Sequence, residues 1–189
     1  MTLSSSGGGE PGQAEQPGLT VDVLVESAQW EALPTAEAII RAAMAVAAKA
    51  RPTQISGAQI SGAEVSVLLC DDAAIAALNA RWRGREGPTN VLSFPVPRDE
   101  PDSRSSDRPT PLGDIAIAYE TVAREAADHG KPLPHHLAHL AVHGFLHLLG
   151  YDHELEGEAE RMERLERDIL AEIGIPDPYD GWPKDRTDG

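Results

Sequence analysis

The chain has 189 residues, 41% of them hydrophobic, with one cysteine and a formal net charge of -15. That length suits one domain with a sizeable core, and the lone Cys70 excludes an internal disulfide and fits a reducing compartment. The acidic balance excludes a general nucleic-acid coat, because phosphate binding needs a basic footprint, but it does not exclude one local groove.

Residues 1–18 are rich in Gly, Ser, Pro and Gln and are expected to form a disordered tail. They carry neither a basic region nor a hydrophobic stretch, so they do not read as a secretory signal, and a cytoplasmic location is expected. A single domain is expected over 19–175. "VDVLV" alternates as a strand does, and "TAEAIIRAAMAVAAKA" after Pro34 has helical composition with Thr35 as its N-cap. The same stretch is too short and too polar to span a bilayer, because Arg41 interrupts it. "EVSVLLC" is a second strand that should bury the Cys70 thiol, and Asp71 or Asp72 should cap the helix "AAIAALNARW".

The loop "RGREGPTN" leads into a third strand, "VLSF", closed by Pro95. The polar, proline-bounded stretch around 97–111 reads as a mobile loop. "GDIAIA" is the fourth strand, followed by a helix from about Tyr119 to His129 that "HGKP" ends. "LPHHLAHLAVHGFLHLLG" forms the next helix, stopped by Gly150. "EAERMERLERDILAEIG" forms the last, with Met162, Leu165, Ile169 and Ile173 as its inner stripe. Residues 176–189 read as a flexible C-terminal tail. The expected architecture is α+β: a small mixed four-stranded sheet packed with about five helices.

Four of the seven histidines fall within fifteen residues: His139, His143, His147 and His153. Helical residues four apart stack on one face, so the rings of His143 and His147 can converge. Gly150 can then reverse the chain in the left-handed conformation, which brings His153 back toward them. Two imidazoles from a helix turn, a glycine bend and a third imidazole make the donor set of a catalytic zinc site with an open fourth position. His135 and His139 share the four-residue spacing, and a core, cap or exposed-face role is the alternative for any of these rings. Two features favour the metal. The spacing is that of the metzincin signature, and polar rings among Leu and Val are costly unless something satisfies them. One Zn²⁺ per chain on His143, His147 and His153 is expected, with His135, His136 and His139 structural or supporting.

Zinc peptidases with this spacing place Glu directly after the first histidine as general base. Here that position is Gly144, and no methionine turn follows, because Met162 lies on the core stripe of the last helix. Ordinary peptidase chemistry is therefore disfavoured, and a metzincin-like metallopeptidase stands as a distant alternative.

"HGFLHLLGYDH", with "RWRGREGPTNVLSFP" and "LGDIAIA", resembles the YbeY family of bacterial endoribonucleases over roughly residues 20–175. Asn90 departs from the Asp that many relatives carry. The resemblance implies zinc on the three histidines and cleavage of single-stranded RNA, with work on the 3′ end of small-subunit ribosomal RNA and in ribosome quality control. It further implies ribosomal proteins and a ribosome-associated GTPase as neighbours. Neither DNA nor membrane is an expected partner.

Arg83 matches the arginine of the family's aromatic-Arg-Gly motif and becomes the candidate for stabilising charge on the reacting phosphate, to which arginine offers a forked contact. A solvated loop arginine is its plainer role. Trp82 is a candidate for stacking an unpaired base, though a buried anchor is the role its surroundings favour. Thr89, Asn90 and Ser93 are candidates for hydrogen bonds to RNA, against turn and strand-edge roles. No general base is evident, so a metal-activated water and a ribose 2′-hydroxyl are both open as nucleophile. A ribosome-biogenesis binding factor with a structural zinc is the second reading.

Overall fold

The structure is a computed structural model and describes residues 18–50, 62–97, 110–151 and 156–180. Four strands are described: β1 (Thr20–Val25), β2 (Ala63–Cys70), β3 (Val91–Pro95) and β4 (Thr110–Ala118). They interleave with five α-helices: α1 (Ala36–Lys49), α2 (Asp72–Arg83), α3 (Tyr119–Asp128), α4 (Leu133–Leu148) and α5 (Glu156–Glu172). The sheet runs β1-β2-β4-β3, with β1, β2 and β4 parallel and β3 antiparallel to β4. Parallel neighbours need crossovers; α1 supplies the one from β1 to β2, and α2 with β3 supplies the one from β2 to β4. The mixed α+β architecture is as the sequence predicts.

Strand residues alternate between two layers. Val65, Val67 and Leu69 of β2 and Ile115 and Ile117 of β4 face the main core, where α1, α4 and α5 pack. Cys70, Leu92, Ala116 and Ala118 face the other way, against Ile75 of α2. Cys70 is fully buried there. Helix α4 is the centre of the thick layer, with buried residues on every side from His136 to Leu148. A helix apolar all round belongs in a core. At about 1.5–3 kcal/mol for each large side chain buried, Leu137, Phe145, Leu146 and Leu148 make α4 a principal source of stability.

Helices α2 and α3 cap each other. Asp71 Oδ1 accepts from Ala74 N (2.8 Å), as a helix N-cap should. Asp72 Oδ1 reaches across to Thr121 N (3.1 Å) and Thr121 Oγ1 (2.7 Å), while Glu120 Oε2 accepts from Asp72 N (2.9 Å). The first turn of each helix thus supplies an acceptor to the other.

Several local expectations change. Thr35 occupies the N-cap position of α1 but makes no side-chain capping bond. A short 3-10 helix, Ala28–Ala32, stands where the sequence offered no signal; it buries Trp30, whose Nε1 donates to Cys70 O (3.0 Å). β4 begins at Thr110, inside the stretch expected to be loop, because Thr110 pairs with Ala63 of β2. The remainder of that expected loop, 98–109, lies outside the described residues, as does most of the N-terminal tail. Residues 176–180 are not a free tail: Lys131 Nζ donates to Pro178 O, and Tyr179 packs on α4 and α5. No described helix is long and apolar enough to cross a membrane.

Candidate metal centre

Along α4, His136, His139, His143 and His147 form a ladder with ring centroids 6.3, 6.2 and 4.6 Å apart. His136 and His139 are buried, whereas His143 and His147 are only half-buried on a helix end that is otherwise covered. Among the described residues, the two rings are thus the partly open positions of the last turns of α4. Their Nε2 atoms approach to 3.1 Å. Two nitrogens on a tetrahedral zinc, each about 2.0–2.1 Å from the ion, lie about 3.3 Å apart. The donor pair fits such an ion.

Glu166 orients the first ring. It lies on the inner face of α5 between Met162 and Ile169, with no exposed surface. Its Oε1 accepts from His143 Nδ1 (2.8 Å); its Oε2 accepts from His139 Nε2 (3.1 Å) and from the Tyr179 hydroxyl. Burial alone would raise this carboxyl's pKa, but hydrogen bonds and charge from His139 and His143 overturn that and hold it well below the usual carboxylate range. An ionised carboxylate can only accept, so His143 Nδ1 is the donor to Glu166, and Nε2 is the ring atom turned toward His147. Burial holds the His139 pKa below its ordinary value, and its Nδ1 has no hydrogen-bond partner among the described residues.

His139, His143 and Glu166 also bring one ligand atom each within 4.8 Å of one another, so this inner cluster could hold a metal ion itself. Glu166 is not among the residues expected at the site, because in the sequence it hides among the many acids of α5. The available signal was its phase, since 162, 166, 169 and 173 follow the buried stripe. His153 lies outside the described residues. What is described is its approach. Gly150 takes φ 90°, its N–H bonds His147 O (2.9 Å), and Tyr151 N bonds Leu146 O (3.1 Å). That is the turn required to redirect the chain past α4.

Gly144 faces the sheet. A Cβ built there would lie 3.2 Å from Ile115 Cδ1, Ile115 Cγ2 and Ser93 Oγ. The position at which a zinc peptidase carries its glutamate is here a packing contact with β3 and β4. No acid can stand there without opening the core.

β3 links this centre to the basic cluster. Ser93, buried, donates its Oγ to Gly144 O (3.2 Å), and Arg83 Nη2 from the last turn of α2 reaches Ser93 O (3.4 Å). Arg83 is otherwise exposed. Trp82 is 62% exposed, with the Arg81 guanidinium 5.1 Å from its ring centroid and Phe94 edge-on at 6.3 Å. It is an open aromatic face and not a buried anchor.

Asn90 has internal partners. Its Oδ1 accepts from Val91 N (2.7 Å), its Nδ2 donates to Glu125 Oε2 (2.9 Å), and Thr89 Oγ1 lies 3.5 Å from Oδ1. The same Glu125 oxygen accepts from His136 Nε2 (2.9 Å). Burial works to raise the Glu125 pKa, yet these bonds leave it below its usual value. An Asp at 90 would set a second carboxylate against Glu125; the amide donor of Asn90 suits that neighbour.

A small mixed α+β protein with a histidine centre at the mouth of a buried helix, braced by a buried carboxylate and chemically suited to a metal ion, is the class that fold and site define. The model of the endoribonuclease YbeY family matches residues 25–174. Among curated relatives, the endoribonuclease YbeY of Rhodopseudomonas palustris (strain BisB18) is 55% identical over 158 residues, covering 84% of this chain and 90% of the relative. That of Bradyrhizobium diazoefficiens is 53% identical over 162 residues, covering 86% of each. The chain belongs to the YbeY endoribonuclease family. The solution structure of TM1509 from Thermotoga maritima shares the fold at 22% identity, with a TM-score of 0.50 over 90% of this chain and all of that one.

Proposed function

We propose that this protein is a zinc-dependent endoribonuclease that cuts single-stranded RNA in the cytoplasm. In this reading it matures the 3′ end of small-subunit ribosomal RNA and serves ribosome quality control beside ribosomal proteins and a ribosome-associated GTPase. Family membership supports the RNA-cleaving activity. The observation that carries the metal is the 3.1 Å approach of His143 Nε2 to His147 Nε2, with His143 Nδ1 pinned by buried Glu166.

His143, His147 and His153 hold the ion in this reading. Glu166 is not counted among the ligands, because both of its oxygens already serve His139, His143 and Tyr179. It acts as the carboxylate that fixes a ligand's tautomer and raises its basicity. Zinc, when bound, supplies Lewis acidity toward a phosphoryl oxygen and acidifies water.

The chain's own groups do the rest. Arg83 binds the scissile phosphate by its guanidinium fork and stabilises charge that grows on the oxygens. Trp82 offers an exposed ring for an unstacked base, which selects single strands over duplex. Thr89 hydrogen-bonds the RNA backbone in this reading. Asn90 and Ser93 serve through their internal bonds, which fix β3 against α3 and α4. Arg81 and Arg85 attract the phosphate chain to one patch of an otherwise acidic protein.

The test is incubation of zinc-replete protein with single-stranded and duplex RNA, beside His143→Ala and His153→Ala, with metal analysis of each. Cleavage of single strands only, lost together with zinc in both variants, is the expected result. Zinc without cleavage would leave a binding factor with a structural metal. Full zinc in His153→Ala would move the ion to the inner cluster of His139, His143 and Glu166.

A further inference from the structure

We infer that Tyr179 is a positioning residue for the His143 imidazole, acting through Glu166. The inference deepens the metal reading above and rests on it for its functional meaning.

Tyr179 lies beyond α5, yet the chain brings it back in a built arrangement. Asp177 Oδ1 accepts from Tyr179 N (2.8 Å) and from Arg167 Nε (3.3 Å), and the Arg167 guanidinium stands 4.9 Å from the Tyr179 ring centroid. The ring meets His139 edge-on at 5.4 Å, and Lys131 Nζ holds the preceding Pro178 carbonyl. The hydroxyl ends on Glu166 Oε2, which also accepts from His139 Nε2 (3.1 Å), leaving Oε1 to His143 Nδ1 (2.8 Å).

A carboxylate with no exposed surface has no water to share its charge. Two donors on Oε2 prevent it from turning about its terminal bond, so Oε1 stays on His143 and keeps that ring's proton on Nδ1. Packing alone does not need the hydroxyl; phenylalanine would keep the edge contact with His139 and the Arg167 contact. The Glu166 bond would go, and the buried oxygen would have one donor fewer.

The test compares wild type with Tyr179→Phe in the full-length protein. Zinc affinity is measured by competition with a chromophoric chelator, and the His143 tautomer by nitrogen-15 imidazole spectra of the zinc-free protein. Partners one step behind a metal ligand change affinity by about 10–100-fold; Tyr179 stands one step further out, so a loss of about tenfold is expected. The zinc-free wild type should show His143 protonated on Nδ1, and the variant a mixture of tautomers while still melting cooperatively. Glu166→Gln should weaken zinc further than Tyr179→Phe does. An affinity within twofold of wild type and an unchanged His143 tautomer would overturn the inference, even if thermal stability falls, because Tyr179 would then only tether the chain end. If the wild type binds no zinc, the metal reading fails, and the His143 tautomer still decides whether Tyr179 positions the ring.

Discussion

Replacing Gly144 with alanine sets helix propensity against packing. Alanine is favoured over glycine in a helix interior by about 0.8–1.0 kcal/mol. Opposing that gain, the new methyl would meet Ile115 twice and Ser93 Oγ once, each at 3.2 Å. Ile115 is 1% exposed on a central strand and Ser93 is 7% exposed, so neither has room to retreat. Overpacking of this kind costs about 1–3 kcal/mol, and pushing Ser93 away removes its bond to Gly144 O (3.2 Å), a further loss of about 1 kcal/mol. The balance is a destabilisation of about 1–3 kcal/mol. At about 2–4 °C per kcal/mol for a domain of this size, the melting temperature should fall by about 2–12 °C. Scanning calorimetry of the zinc-free Gly144→Ala protein measures it. A melting temperature equal to or above that of wild type would refute the packing argument, and with it the claim that the sheet excludes a glutamate here.

Arg83→Ala should slow RNA cleavage by about a hundredfold or more, in line with other preorganised charge stabilisers, with zinc content unchanged. Arg83→Lys should recover only part of that rate, and equal, salt-sensitive losses at Arg81, Arg83 and Arg85 would instead mean a diffuse basic patch. Burial, followed by the nearby charges of Asp71 and Glu26, pushes the Cys70 thiol from 9.0 up to about 11. A raised folded-state pKa gives a contribution that is whole below pH 9 and lost as pH rises through 11. Wild-type stability should therefore fall by up to about 2–3 kcal/mol more than that of Cys70→Ala across that window; parallel denaturant-midpoint curves for the two would count against it.

Most strands and helices were legible because their signals are local. "VDVLV" and "EVSVLLC" alternate or run apolar as half-covered and covered strands do, and "HGKP" ends α3 where Gly130 takes φ 62°. The His143/His147 pair was legible for the same reason, since helical spacing alone places the rings together. What was hidden depends on partners distant in sequence. Thr110 becomes strand because Ala63 receives it, and Trp30 sits in a 3-10 helix because Cys70 O accepts its indole N–H. Glu166 resembled any other acid of α5 until His139 and His143 met it from another helix. Asn90 and Ser93 stood between RNA contacts and turn or strand-edge roles, because their partners Glu125 and Gly144 O come from other elements. Trp82 read as a buried anchor, yet it stands exposed at the end of α2, where nothing local in the sequence shows which side of the surface it takes.

The enclosure of α4 has a consequence for how the molecule opens. Its interior backbone amides are screened by β3, β4, α1, α3 and α5 at once, so no fraying of a single neighbour brings them to water. Their hydrogen–deuterium exchange should track global unfolding, and α4 should be the slowest-exchanging helix. The two imidazoles at its mouth are thereby mounted on the part of the chain that breathes least.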